Sequence, residues 1–86
     1  MTAEERLVKA GYDGITILDD YSYDDALIGV TTDDRAVYDY GKMVVWLMEK
    51  EGWSEAEAIE WIEYNTIRAL GYFGPDGPII LQLLEP

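Results

Sequence analysis

Six apolar residues follow one another without a break, Met43-Val44-Val45-Trp46-Leu47-Met48, and they constrain the fold more than any other feature of the chain. The run is far shorter than the roughly 18 residues of a membrane span. Wound at about 100° per residue, it makes a helix that is apolar nearly all round. Such a helix has to be covered on more than one side. It is expected to start near Asp39 or Tyr40 and to run to Lys50, with Gly52 as its stop. With 86 residues, read as a single domain over residues 1–86, the chain buries only about 60–65% of its unfolded surface. Its core must come from one sheet and two or three helices. Three Trp, seven Tyr and one Phe supply much of the buried area.

The remaining elements follow from caps and punctuation. Thr2-Ala3-Glu4-Glu5 reads as a capping box opening a short helix over residues 3–10, which Gly11 stops. Ile15–Leu18 reads as a β-branched, apolar strand after the Asp13-Gly14 turn. Ala26–Thr31 is a second strand, with Gly29 marking a bulge or a close contact, and Arg35–Tyr40 is a third. Ser54-Glu55-Ala56-Glu57 is a second capping box, with Trp53 placed to staple against Ala58. The helix it opens is expected to run to about Leu70, with Ala58, Ile59, Ile62, Thr66, Ala69 and Leu70 on its core face. Ile79–Leu84 is a last strand, dense enough to be covered on both faces, although Pro78 also fits an edge. The expected fold class is α+β: a small, mostly antiparallel sheet of about four strands with two main helices packed on it, in the order α-β-β-β-α-α-β.

Charge narrows the function classes. Eighteen Asp and Glu against six Lys and Arg leave a formal net charge of −12. Such a surface repels nucleic acid and anionic membranes, so direct binding to either is disfavoured. It suits a basic site on another protein, though an acidic surface also serves solubility alone. The absence of cysteine removes disulfide and thiolate chemistry and is in keeping with a cytoplasmic protein. The absence of histidine removes the commonest metal ligand and general base.

Two acidic constellations stand out. Glu57, Glu60 and Glu63 fall at i, i+3 and i+6 on one helix, about 4.5 Å apart along its axis, and no base occurs from residue 51 to 67. Like charges at this spacing cost a few tenths of a kcal/mol per pair. The row can be an ordinary solvated face or a ridge presented to a basic groove. Asp24, Asp25, Asp33 and Asp34 come in pairs within residues 10–34, again with no base among them. Asp is favoured in turns for its own hydrogen bonding, and paired carboxylates also imitate phosphates. Trp61, Tyr64, Asn65 and Arg68 form an adjoining stripe: Trp61 is expected to pack towards Trp46, while Tyr64 and Arg68 are candidates for a partner contact. If the sheet and the second helix leave the Met43–Met48 run uncovered, a homodimer is the alternative cover.

Metal and catalytic signals are weak. Asp24-Asp25 and Asp33-Asp34 offer oxygen ligands, but the calcium-loop spacing is missing. There is no phosphate-binding glycine loop, and Ser54 is accounted for as a cap. No cofactor, metal or enzymatic activity is expected.

Two stretches, Asp25–Thr31 leading into Arg35–Tyr40, and Ala58–Leu70 followed by Pro78-Ile79-Ile80, resemble a group of short, acidic, uncharacterised proteins encoded in phages and other mobile elements of anaerobic bacteria. The likeness covers about residues 12–82. It implies a mobile-element context, in which small acidic proteins are often inhibitors of host defence, including anti-CRISPR and anti-restriction proteins. The resemblance assigns no functional residue. The expectation is a non-enzymatic inhibitor whose acidic surface occupies the basic, nucleic-acid-binding surface of a host protein. The alternative is a small adaptor that binds a partner, or itself, through an aromatic or apolar helix face.

Overall fold

The structure, a computed structural model, describes residues 1–84. Helix α1 (Ala3–Lys9) begins at the expected capping box, with Thr2 accepting from the Glu5 amide and Glu5 accepting from the Thr2 amide. Strands β1 (Leu27–Val30) and β2 (Ala36–Asp39) form an antiparallel hairpin. Its register shifts between Leu27, opposite Tyr38, and Gly29, opposite Val37, so the bulge falls at Ile28 and Gly29 itself stays paired. The tip turns through Asp34 in the left-handed region, a conformation Asp tolerates better than most side chains.

Strand β2 passes directly into helix α2 (Tyr40–Glu51), with Asp39 as N-cap accepting from the Lys42 amide at 3.1 Å. Gly52 ends the helix with φ 72°, where a Cβ would be strained. Helix α3 (Glu55–Trp61) starts at the second capping box. It does not continue as regular α-helix to Leu70. A π-helical turn spans Ile62–Thr66, one α-turn follows over Ile67–Ala69, and a 3₁₀ turn closes Leu70–Tyr72. Strand β3 (Ile79–Leu81) is a half-buried edge strand pairing parallel to β2. Arg35 Nε donates to the Gly77 carbonyl at 2.9 Å and ties the hairpin to the approach of β3.

The fold is α+β, with three main helices and a three-stranded mixed sheet in the order β1-β2-β3 among the described residues. Two expectations are corrected. The sheet is mixed because α2 and α3 together form the long crossover that a parallel neighbour requires. Ile15–Leu18 is not a strand. Its Leu18 is buried and its amide donates to the hydroxyl of Tyr38 at 3.3 Å, so a side chain occupies the place a ladder partner would have taken.

The core gathers Leu7 of α1, Leu18, Tyr23, Tyr38 of β2, Met43, Val44 and Leu47 of α2, and Ala58 and Ile62 of the third helical segment. Helix α2 is covered by the sheet side and by α3, as its apolar run demands, except at Val45, which remains 51% exposed.

Candidate interaction surface

Glu57, Glu60 and Glu63 are all exposed, and α3 with its π turn carries them. The outer two are held in place. Glu57 accepts from the Ser54 amide at 3.0 Å, and that bond holds its carboxyl below the usual range. Glu63 accepts from the Tyr40 hydroxyl at 2.9 Å. Partial burial, and then the bond to this carboxylate, push the Tyr40 phenol up to about 12. The row therefore has pinned ends and a middle residue, Glu60, that faces solvent. Beside it, Tyr64 is 63% exposed and lies under the Arg68 guanidinium at 5.7 Å from the ring centre. Ala56, Ile59, Glu60, Glu63, Tyr64 and Arg68 line one shallow groove of about 620 Å³.

The expected stripe of Trp61, Tyr64, Asn65 and Arg68 divides. The π turn inserts an i→i+5 bond, from Ile67 N–H to the Ile62 carbonyl, where the α-helix would make i→i+4. Tyr64 and Arg68 stay outside. Trp61 turns to the interior, edge-on to Tyr21 at 5.5 Å and tilted against Trp53 at 5.6 Å. Trp46 also packs edge-on to the Tyr21 ring at 5.9 Å, so Trp61 and Trp46 belong to one aromatic cluster. Asn65 donates its side-chain amide to the Trp61 carbonyl at 3.1 Å, an extra bond where the regular ladder is interrupted.

The four aspartates do not form one patch with the glutamates through any hydrogen bond of the described residues. Asp24 accepts from the Ala3 amide at 2.7 Å, and its carbonyl accepts from the Arg6 guanidinium, so it fastens α1 to the approach of β1. Asp33 accepts from the Thr31 hydroxyl within the hairpin tip. Asp25 and Asp34 are exposed. Among the described residues, no group of three or more carboxylates is placed to hold a metal ion.

Two features escaped the sequence. Asp20 accepts from the buried Thr66 hydroxyl and from the Trp61 indole at 3.3 Å, and Thr66 shares a 2.7 Å hydrogen bond with Tyr23. Tyr23 is buried with φ 46°, an uncommon conformation for a bulky side chain. The loop thus clamps the π turn from beneath. No periodicity marks an aspartate that reaches a residue 46 positions away. The second feature is a groove of about 740 Å³ between α2 and the end of β3. Val45, Trp46 and Leu83 form its apolar part, and Asp25, Asp39 and Glu49 contribute carboxylates. Tyr40 lines it too, and through its bond to Glu63 joins this groove to the α3 ridge.

Comparison with protein-family models, curated proteins and solved structures finds no match to this chain. No helix of the described residues is long and apolar enough to cross a membrane.

Proposed function

We propose that this chain is a non-enzymatic acidic binding protein that inhibits a protein partner by occupying its basic, nucleic-acid-binding surface. The observation that carries the reading is the ridge of Glu57, Glu60 and Glu63, exposed together beside Tyr64 and Arg68 on a helix with no base from residue 51 to 67. The π turn beneath it supports the same reading. It gives up regular helical bonding at Glu63 and Tyr64, and π turns recur at functional sites. The resemblance to short acidic proteins of mobile elements favours a host-defence or DNA-handling protein as the target. Asp25 and Asp34 extend the acidic surface, whereas Asp24 and Asp33 serve mainly the fold.

The test is capture of partners from a bacterial lysate at low and high salt, with the native chain and with Glu60→Lys. A nucleic-acid-handling protein recovered at low salt, lost at high salt and lost with Glu60→Lys is the expected result, since exposed charge pairs are screened within about 8 Å at physiological salt. Recovery that ignores both salt and charge reversal would remove the reading. In its place would stand an adaptor that binds through apolar surface, which the exposure of Val45 on α2 favours.

A further inference from the structure

We infer that the groove between α2 and the end of β3 is a docking site for a basic, amphipathic segment of a protein partner. The inference rests on the acidic-inhibitor reading and gives the partner a definite chemistry. The groove measures about 740 Å³, room for one or two large side chains. Val45 and Leu83 are 51% and 58% exposed there, although neither is needed by the core. Trp46 extends the same apolar wall. Around it stand three carboxylates, Asp25, Asp39 and Glu49, against one ammonium, Lys42. Asp39 spends one oxygen on the Lys42 amide and is otherwise buried, which leaves Asp25 and Glu49 as the exposed charges.

That combination selects its occupant. A purely polar cation would leave Val45 and Leu83 wet. A purely apolar segment would desolvate the carboxylates without a partner. A second copy of this chain carries net charge −12 and brings acid against acid. A segment with large apolar side chains on one face and Lys or Arg beside them satisfies both parts. Lys42 and Glu49 lie seven residues apart on α2, about 10 Å along its axis, so the occupant's base belongs at the Glu49 end. Tyr40, which lines the groove, donates to Glu63 of the ridge, so the two surfaces touch at that bond.

The probe is a fluorescein-labelled synthetic peptide of leucine and lysine in amphipathic helical order, followed by anisotropy against the whole chain. Its controls replace every leucine by serine, or every lysine by glutamate. The leucine–lysine peptide should bind at least about tenfold more tightly than either control. Val45→Ser and Leu83→Ser, both at exposed positions where the fold should persist, should each weaken it by about fivefold or more. Glu49→Lys should weaken it by up to about fivefold. Equal affinity for the serine–lysine peptide would overturn the groove. A loss produced by Glu60→Lys alone would overturn it while keeping the ridge. A loss confined to Val45, Leu83 and Glu49 would uphold it even where the lysate test of Glu60→Lys fails. A concentration-dependent dimer of the free chain that Val45→Ser dissolves would overturn it in favour of self-association.

Discussion

The two acidic regions of the molecule divide their carboxylates differently between the fold and the solvent. Of the six aspartates of residues 19–34, three bond to backbone or hydroxyl groups of the fold, Asp20 to Thr66, Asp24 to the start of α1 and Asp33 to Thr31, while Asp19, Asp25 and Asp34 are exposed. The glutamates of α3 stand outward along a helix, and only the ends of the row are tied, Glu57 to Ser54 and Glu63 to Tyr40. Of the bonded aspartates only Asp33 acts locally, within the hairpin tip; Asp20 and Asp24 reach residues 46 and 21 positions away and draw distant segments together. Counting carboxylates therefore overstates the charge available to a partner. The carboxylates that matter for binding are those the fold does not use.

Alkaline titration tests the interior that this comparison takes for granted, and it should give the largest effect. Burial pushes the phenol of Tyr38 up to about 12, and that of Tyr23 higher still. A group whose folded pKa is raised contributes stability that is complete below the unfolded value, near 10 for tyrosine, and lost as pH rises towards the folded one. Urea midpoints should hold steady to about pH 10 and collapse by about pH 12. Tyrosinate absorbance should lag that of the unfolded chain. Midpoints unchanged across this window would contradict the burial of both rings.

Next is Thr66→Val, which removes the hydroxyl shared by Tyr23 and Asp20 while keeping the side chain's volume. It should cost about 1–3 kcal/mol, because the buried Tyr23 hydroxyl loses its partner. A urea midpoint equal to that of the native chain would sink the idea of a clamp. Asp24→Ala should cost about 1 kcal/mol by releasing the first amide of α1, with the loss visible as faster hydrogen exchange there. The smallest effect on stability belongs to Glu60→Lys, within about 0.5 kcal/mol, and it is the variant that should most weaken partner binding. If Asp24→Ala disturbed binding and Glu60→Lys disturbed folding, the contrast between the two regions would be reversed.

Much of this could be read beforehand where a local rule governs. Both capping boxes, the Gly52 stop and the helix at the Met43–Met48 run are short-range events, each decided by residues within a turn of one another. The misread elements depend on distant partners. Ile15–Leu18 has the composition of a strand, but its neighbour offers a tyrosine hydroxyl rather than a free edge. The π turn at Ile62–Thr66 is invisible to a helical wheel, which assumes an even 100° step, and its counterpart lies back at Asp20 and Tyr23. For the candidate surface, the exposed Glu57, Glu60 and Glu63 row was legible from spacing alone. The groove was not, because it joins Asp25, α2 and the end of β3, which are far apart in sequence.

The stretch from Asp13 to Tyr23 carries no regular secondary structure, yet with Asp24 after it the chain reaches every layer of the molecule. Leu18 binds β2, Tyr21 binds Glu51 at the end of α2, Asp20 and Tyr23 hold the π turn, and Asp24 holds α1. Small chains commonly need a staple such as a disulfide, and this one has no cysteine. Here an irregular strap of backbone does that work without a covalent bond. It is the segment that looks most expendable, and a protease cut or an insertion within it would release four elements at once.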